Sequence, residues 1–144
     1  MKVEEEKCLF SFVIPTRNDF AEFKLTIKSL CSEAPERSEI IIVDGYDMPL
    51  KYENILKLIE RRDFLVKYYR DEKKGVFPAI NLGLRACSGK WIILLGAGDI
   101  LVDGAGYLLA NMKDCDYDII VFSERAVDKY NKLTWTMFPN DNSV

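Results

Sequence analysis

Histidine is absent from this 144-residue chain. Its absence excludes Ser-His-Asp and Cys-His catalysis, so a general base has to be a carboxylate, a lysine, a tyrosine or a metal-bound water. It also removes the usual partners of zinc-binding cysteines. The four cysteines (Cys8, Cys31, Cys87, Cys115) lack Cys-x-x-Cys spacing and read as small buried hydrophobes of a reducing cytosol. Long apolar runs are lacking too. None approaches the roughly 18 residues of a membrane span, and no signal-peptide pattern precedes the first one. The expected location is therefore cytoplasmic, the inner face of the membrane included. Nor is charge of one sign concentrated: 20 basic and 23 acidic residues leave a net −3, with no basic stripe that would mark a nucleic-acid partner. The one dense acidic run, Glu4 to Glu6, reads as solvation of the terminus.

What is present is the composition of a globular domain, 49% hydrophobic, 12% aromatic and 30% charged, in a chain long enough to bury a core. Short apolar runs alternate with segments of helical period. Cys8 to Ile14 (CLFSFVI) predicts a first strand bounded by Pro15, and Glu39 to Val43 (EIIIV) a second, nearly uniform in its apolar character as in a parallel sheet covered on both faces. Leu65 to Tyr69 is a third, more polar and so nearer an edge; Trp91 to Leu95 is a fourth, buried one; Asp118 to Phe122 (DIIVF) and Leu133 to Phe138 are a fifth and sixth. Between them the spacing predicts helices over Ala21 to Cys31, capped by Asp19, and over Tyr52 to Arg62, Val76 to Cys87 and Gly106 to Lys113. Pro78 is tolerated because it falls in a first turn. Tyr68, Tyr69, Trp91 and Phe122 are expected in the core. Strand–helix alternation of this kind predicts a three-layer α/β/α sandwich around a mostly parallel sheet.

In open α/β sheets, ligands bind beyond the carboxyl ends of the strands, and three exits carry suggestive residues. The first strand leaves through Pro15-Thr16-Arg17-Asn18-Asp19, either a nucleotide-facing loop or simply a capped one. The second leaves through Asp44-Gly45-Tyr46-Asp47. An acid there either reaches a ribose hydroxyl or base N–H, whose donors match carboxylate lone pairs, or forms an Asp-Gly turn. The fourth ends in Gly96-Ala97-Gly98-Asp99, where a carboxylate can hold a hard divalent cation against phosphate oxygens. No G-x-G-x-x-G follows the first strand and no P-loop occurs. A response-regulator receiver, suggested by Asp44 to Pro49 (DGYDMP), lacks its acidic pair at Pro15-Thr16 and its late lysine at Ser123-Glu124.

Taken in order, FSFVIPTRN (Phe10 to Asn18), EIIIVDG (Glu39 to Gly45) and GVFPAINLGLRACSGKWIILLGAGD (Gly75 to Asp99), with Ile100-Leu101 after them, resemble the nucleotide-binding half of family 2 glycosyltransferases, the inverting GT-A enzymes. The resemblance implies a GT-A sheet of order 3-2-1-4 with an added strand from the C-terminal third. It implies a nucleotide-binding set of Pro15, Thr16, Arg17, Asp44, Gly75 and Asn81, with Asp44 on the base or ribose. Asp99 would be the surviving acid of a DxD-like element, holding Mg²⁺ or Mn²⁺ on the diphosphate. The implied activity is metal-assisted transfer of a sugar from a UDP- or GDP-linked donor to an acceptor hydroxyl in surface glycan synthesis. A non-catalytic GT-A module that binds nucleotide or a protein is the alternative. Departures from the family pattern are Gly96 and Gly98 at its usual acid positions, Lys73 in place of an Asp, and Pro78-Ala79 in place of an Asp-Ala pair. The expected organisation is one domain over 1–144 without the acceptor-binding half. A second copy or a partner chain would then cover the exposed apolar surface, with Trp135 either at that interface or stacked on a sugar. Asp141 is too near the terminus to serve as base, and no catalytic base is assigned.

Overall fold

The computed structural model describes residues 8–61, 63–72, 75–128 and 132–137. Glu4 to Glu6, Arg62, Lys73, Phe138, Asp141 and the side chain of Trp135, all named above, lie outside the described residues. The chain divides into two compact units, 1–113 and 114–144.

The first unit holds four parallel strands, β1 (Phe10–Thr16), β2 (Ser38–Asp44), β3 (Leu65–Arg70) and β4 (Trp91–Leu94), in the order β3-β2-β1-β4. Helices α1 (Phe20–Glu33) and α2 (Tyr52–Leu58) cover one face and α3 (Val76–Ala86) the other. On the first face Phe10, Phe12 and Ile14 pack with Ile40 and Ile42 against Phe23, Ile27 and Leu30 of α1 and Ile55 of α2. Leu109 of α4 (Ala105–Met112) joins them. On the second, Val13, Ile41 and Val43 meet Ala79. Every residue of β2 is buried because it is central and covered twice, as its apolar run from Ile40 to Val43 requires. α3 reaches the sheet only because residue 83 is glycine: a Cβ there would stand 2.3 Å from Val13 Cγ1.

Several boundaries depart from the periodicity. β1 runs through Pro15 to Thr16, paired with Val43 and Asp44. Its carbonyls alternate, Val13 accepting from Leu95 N on the β4 side and Thr16 from Gly45 N on the β2 side. Pro15 therefore turns its missing N–H toward β4, whose pairing has already ended at Val13–Leu94, and no ladder bond is lost. Asp19 occupies the N-cap of α1 without a side-chain cap bond. α2 stops at Leu58 because Ile59 leaves the helix to bury itself with Phe64, over whose ring Arg61 stacks at 4.2 Å.

β3 is the expected edge strand. β4 is the other edge rather than a fully buried strand: Ile92 and Leu94 are 45% and 48% exposed, because α3 lies over β1 and β2. Tyr68, Tyr69 and Trp91 are half-buried against the two cores. The four cysteines are free and half-buried.

In the second unit, the strand expected over Asp118 to Phe122 does not form, and Phe122 is exposed. β5 (Glu124–Val127) pairs instead with β6 (Leu133–Met137) as an antiparallel ribbon. Both strands of the C-terminal third thus pair with each other, and the four-stranded sheet takes no added strand among the described residues. Local ribbon pairing satisfies backbone groups that a lone apolar segment leaves open. Among the described residues no helix is long and apolar enough to cross a membrane.

One polar cluster pins the amino-terminal end of the sheet. Glu39, fully buried at the start of β2, takes the Lys67 ammonium at 2.8 Å, the Ser11 hydroxyl at 2.6 Å, and both the N–H and hydroxyl of Ser88 at 2.5 and 2.8 Å. Burial alone would raise its carboxyl, but Lys67, Ser11 and Ser88 together outweigh that and hold it down to about 2. The cluster ties β1, β2, β3 and the α3–β4 turn at the edge opposite the strand exits.

Candidate functional site

Because the strands are parallel, their carboxyl ends share one edge, and the strand order reverses between β1 and β4. α1 leaves β1 on one face and α3 arrives at β4 from the other. That divergence opens the crevice where such sheets take ligands. Its walls are the β1 exit, Pro15 to Asp19, and the β4 exit, Leu95 to Asp99.

The β1 and β2 exits are latched together. Asn18, with a left-handed backbone (φ 55°), donates from Nδ2 to Asp47 Oδ2 at 3.1 Å and accepts the Asp47 N–H at 3.3 Å. Asparagine is among the few residues that tolerate this conformation. Arg17, half exposed, stands 3.8 Å from Asp47, an exposed pair that costs little to open. Thr16 is buried, its hydroxyl donating to Tyr46 Oη at 3.3 Å. Pro15 is half-buried beside it.

The β4 exit is anchored to α1. Thr26 Oγ1, fully buried, accepts the Gly98 N–H at 3.0 Å and donates to the Gly96 carbonyl at 3.3 Å. Ser29 Oγ accepts from Leu101 N at 3.1 Å, and Glu33 Oε2 from Gly104 N at 2.9 Å. Sequence reasoning missed these residues, although a polar Thr26 within the apolar Phe23–Ile27–Leu30 stripe was a visible signal. Asp99 is exposed at the tip and folds back, Oδ2 accepting the Gly96 N–H at 2.7 Å. The two glycines at the usual acid positions have local reasons. Gly98 has φ 99°, and a Cβ there would stand 3.0 Å from Glu22 Oε2; one on Gly96 would stand 3.2 Å from Asp99 Oδ2. An acid at 98 would be strained and would meet a like charge. Among the described residues no group of three or more His, Cys, Asp or Glu side chains is placed to hold a metal by itself.

The remaining candidates divide. Asp44 ends β2 at this edge but points into the protein: it is fully buried, with Oδ1 and Oδ2 engaged by Tyr46 N, Leu50 N, Tyr68 Oη and Arg70. Burial first, then the bond to Asp44, pushes the Tyr68 phenol up to about 12. Gly75 is at the edge as the N-cap of α3, its N–H donating to Asp71 Oδ2 at 3.1 Å. Asp71, buried directly after β3, is a further residue that sequence reasoning passed over, although it follows its strand at the same edge at which Asp44 ends β2. Asn81 is not brought to the others. Ala79 and Gly83 face the sheet, so at 100° per residue Asn81 faces outward, where it is exposed.

Comparison with known proteins adds sequence and fold likeness to this geometry. The model of glycosyl transferase family 2 matches residues 11–141. A PGL/p-HBAD biosynthesis glycosyltransferase of Mycobacterium bovis is 33% identical over 99 residues, covering 66% of this chain and 37% of its own length. An uncharacterized glycosyltransferase of Rickettsia conorii is 26% identical over 122 residues, 85% of this chain and 20% of the relative. The chain thus spans little more than a third of the length of the first of these relatives and a fifth of the second. Among solved structures, S. aureus TarS 1-349 superposes with a TM-score of 0.63 at 20% identity, over 74% of this chain and 32% of that one. Its complex with UDP gives 0.57 at 20% identity, over 72% and 30%. Those likenesses concern the fold, a mostly parallel sheet of order 3-2-1-4 of the GT-A kind.

Proposed function

The chain belongs to glycosyl transferase family 2, and on that premise we propose that its first unit binds the nucleoside diphosphate of a sugar donor at the β1/β4 crevice. The observation that carries the reading is the placement of Arg17 and Asp99 on loops that flank the point where the strand order reverses. Arg17 offers charge-assisted, two-pronged donation to phosphate oxygens. It reaches them by leaving Asp47, an exposed partner 3.8 Å away. Pro15 and Thr16 end β1 beneath that loop, and Gly75 stands at the N-cap of α3 at the same edge of the sheet. UDP stands in a complex of the structural neighbour TarS, which favours a uridine donor as the first to test.

Asp99 is the residue that would hold Mg²⁺ or Mn²⁺. One exposed carboxylate suits a hard cation that completes its shell with phosphate oxygens and water, so the fit depends on the diphosphate being present. Bound there, the cation would offset the charge of the departing nucleoside diphosphate. The reaction class this serves is transfer of the donor sugar to an acceptor hydroxyl in glycan synthesis. Binding without turnover is the second reading, favoured by the glycines at 96 and 98.

Calorimetric titration with UDP and GDP, with and without Mn²⁺, tests the proposal. Micromolar binding that needs the metal is expected, and Asp99→Ala should lower the metal-dependent affinity at least tenfold with an unchanged melting temperature. Equal affinity in that variant would remove Asp99 from the site; no binding of either nucleotide would overturn the reading. Hydrolysis or transfer of a bound sugar separates the enzyme from the binding module.

A further inference from the structure

The carboxylate at the end of β2 is engaged on both oxygens by the protein itself. Two carboxylate oxygens offer about four lone-pair sites; three hydrogen bonds and one ion pair engage them. Oδ1 of Asp44 takes the Tyr46 N–H at 2.7 Å and the Arg70 guanidinium at 3.2 Å; Oδ2 takes the Leu50 N–H at 2.8 Å and the Tyr68 hydroxyl at 2.5 Å. The side chain is 0% exposed. A ribose hydroxyl or base N–H could reach it only by displacing one of these partners, and a displaced Tyr46 N–H would be left buried without its acceptor at a cost of about 1–3 kcal/mol. Partners on β3 reinforce the arrangement: Arg70 also donates to the Tyr46 carbonyl at 2.8 Å, and Tyr68 Oη lies 3.3 Å from the Leu50 carbonyl. Both ends of the 45–50 loop are thereby tied to one carboxylate, while its tip, Asp47 and Met48, is exposed and latched to Asn18 of the β1 exit.

We propose that Asp44 is a positioning residue that never touches the nucleoside, and that Asp44, Tyr68 and Arg70 act as one unit that sets the 45–50 loop as a wall of the donor site. The inference rests on the nucleotide-binding reading above. Nucleoside recognition then falls to groups that the loop presents, and substitutions on β3, beneath the loop, change nucleotide affinity without contact.

The test is a double-mutant cycle on the full chain with Asp44→Asn, Tyr68→Phe and the pair. UDP and GDP affinities are measured by calorimetry, and amide hydrogen exchange by NMR. Expected are affinity losses of about threefold to tenfold in each single variant, by the same factor for both nucleotides, and a loss in the pair clearly smaller than the product. Exchange at the Tyr46 and Leu50 amides should rise in both variants while core β1 amides keep their rates. A change in the UDP-to-GDP ratio in Asp44→Asn, with Tyr68→Phe silent, would mean that Asp44 reads the base and would overturn the inference. Should the native chain bind no nucleotide, the donor reading fails alone, and the exchange data still decide. Unchanged Tyr46 and Leu50 exchange in Tyr68→Phe, the variant least able to disturb folding, would sink the unit.

Discussion

Three acidic residues of this chain show how environment assigns different work to the same carboxylate chemistry. Asp99 is exposed at a loop tip, Asp44 is enclosed by four donors, and Glu39 is enclosed by Lys67 and two serines. The Glu39 carboxyl is held down from 4.5 to about 2, because its bonds to Lys67, Ser11 and Ser88 outweigh burial. The unfolded chain therefore binds the extra proton between those values, and the contribution of Glu39 is complete above about 4.5 and lost as pH falls toward 2. A depression of that size corresponds to on the order of 3 kcal/mol. Glu39→Gln should unfold at lower urea at neutral pH and show a flatter dependence of stability on pH across the acid window. An identical acid profile in the variant would show that Glu39 does not drive it.

At the scale of elements, α1 does more than cover the sheet. Its residues Thr26, Ser29 and Glu33, at helical spacing, run beneath the segment from Gly96 to Gly104 and take its N–H groups one after another. The loop that carries Asp99 is thus held from a helix that precedes it by some seventy residues in the chain. Thr26→Val keeps the shape and leaves the Gly98 N–H and Gly96 carbonyl without this partner. A loss of about 1–3 kcal/mol in urea unfolding is expected, with metal-dependent nucleotide affinity falling in parallel. A variant of full stability would show that water replaces the hydroxyl at no cost.

For the molecule as a whole, protection should follow the layering. β1 and β2 are buried on both faces, β3 and β4 are edges, and the β5–β6 ribbon belongs to a second unit. Amide exchange should be slowest in β1 and β2 and faster in β4 and in the ribbon, because edge and ribbon bonds open without the core. Ribbon amides as slow as those of β2 would contradict that order.

The parallel sheet was legible in the sequence because both periods were clear: EIIIV has no polar face to expose, and Phe23, Ile27 and Leu30 have only one apolar one. Strand exits were legible too, since Pro15, Asp44 and the Gly96–Asp99 run interrupt those periods sharply. DIIVF misled because an apolar run records propensity, while strand formation needs a hydrogen-bonding partner, which is a property of the whole fold. Ile92 and Leu94 misled in the same way, since α3 covers other strands. The direction of the Asp44 side chain was not legible at all. Its position depends on Tyr68 and Arg70, which come from a different strand and meet it only through the parallel register of β2 and β3. Sequence by itself determined the alternation of apolar strands and helical stripes in the first unit and where the chain turns between them, because those patterns lie among neighbours a few residues apart. Only the tertiary structure decided which carboxylate faces solvent and which holds a loop, because burial and lone-pair occupancy are fixed by residues distant in the chain.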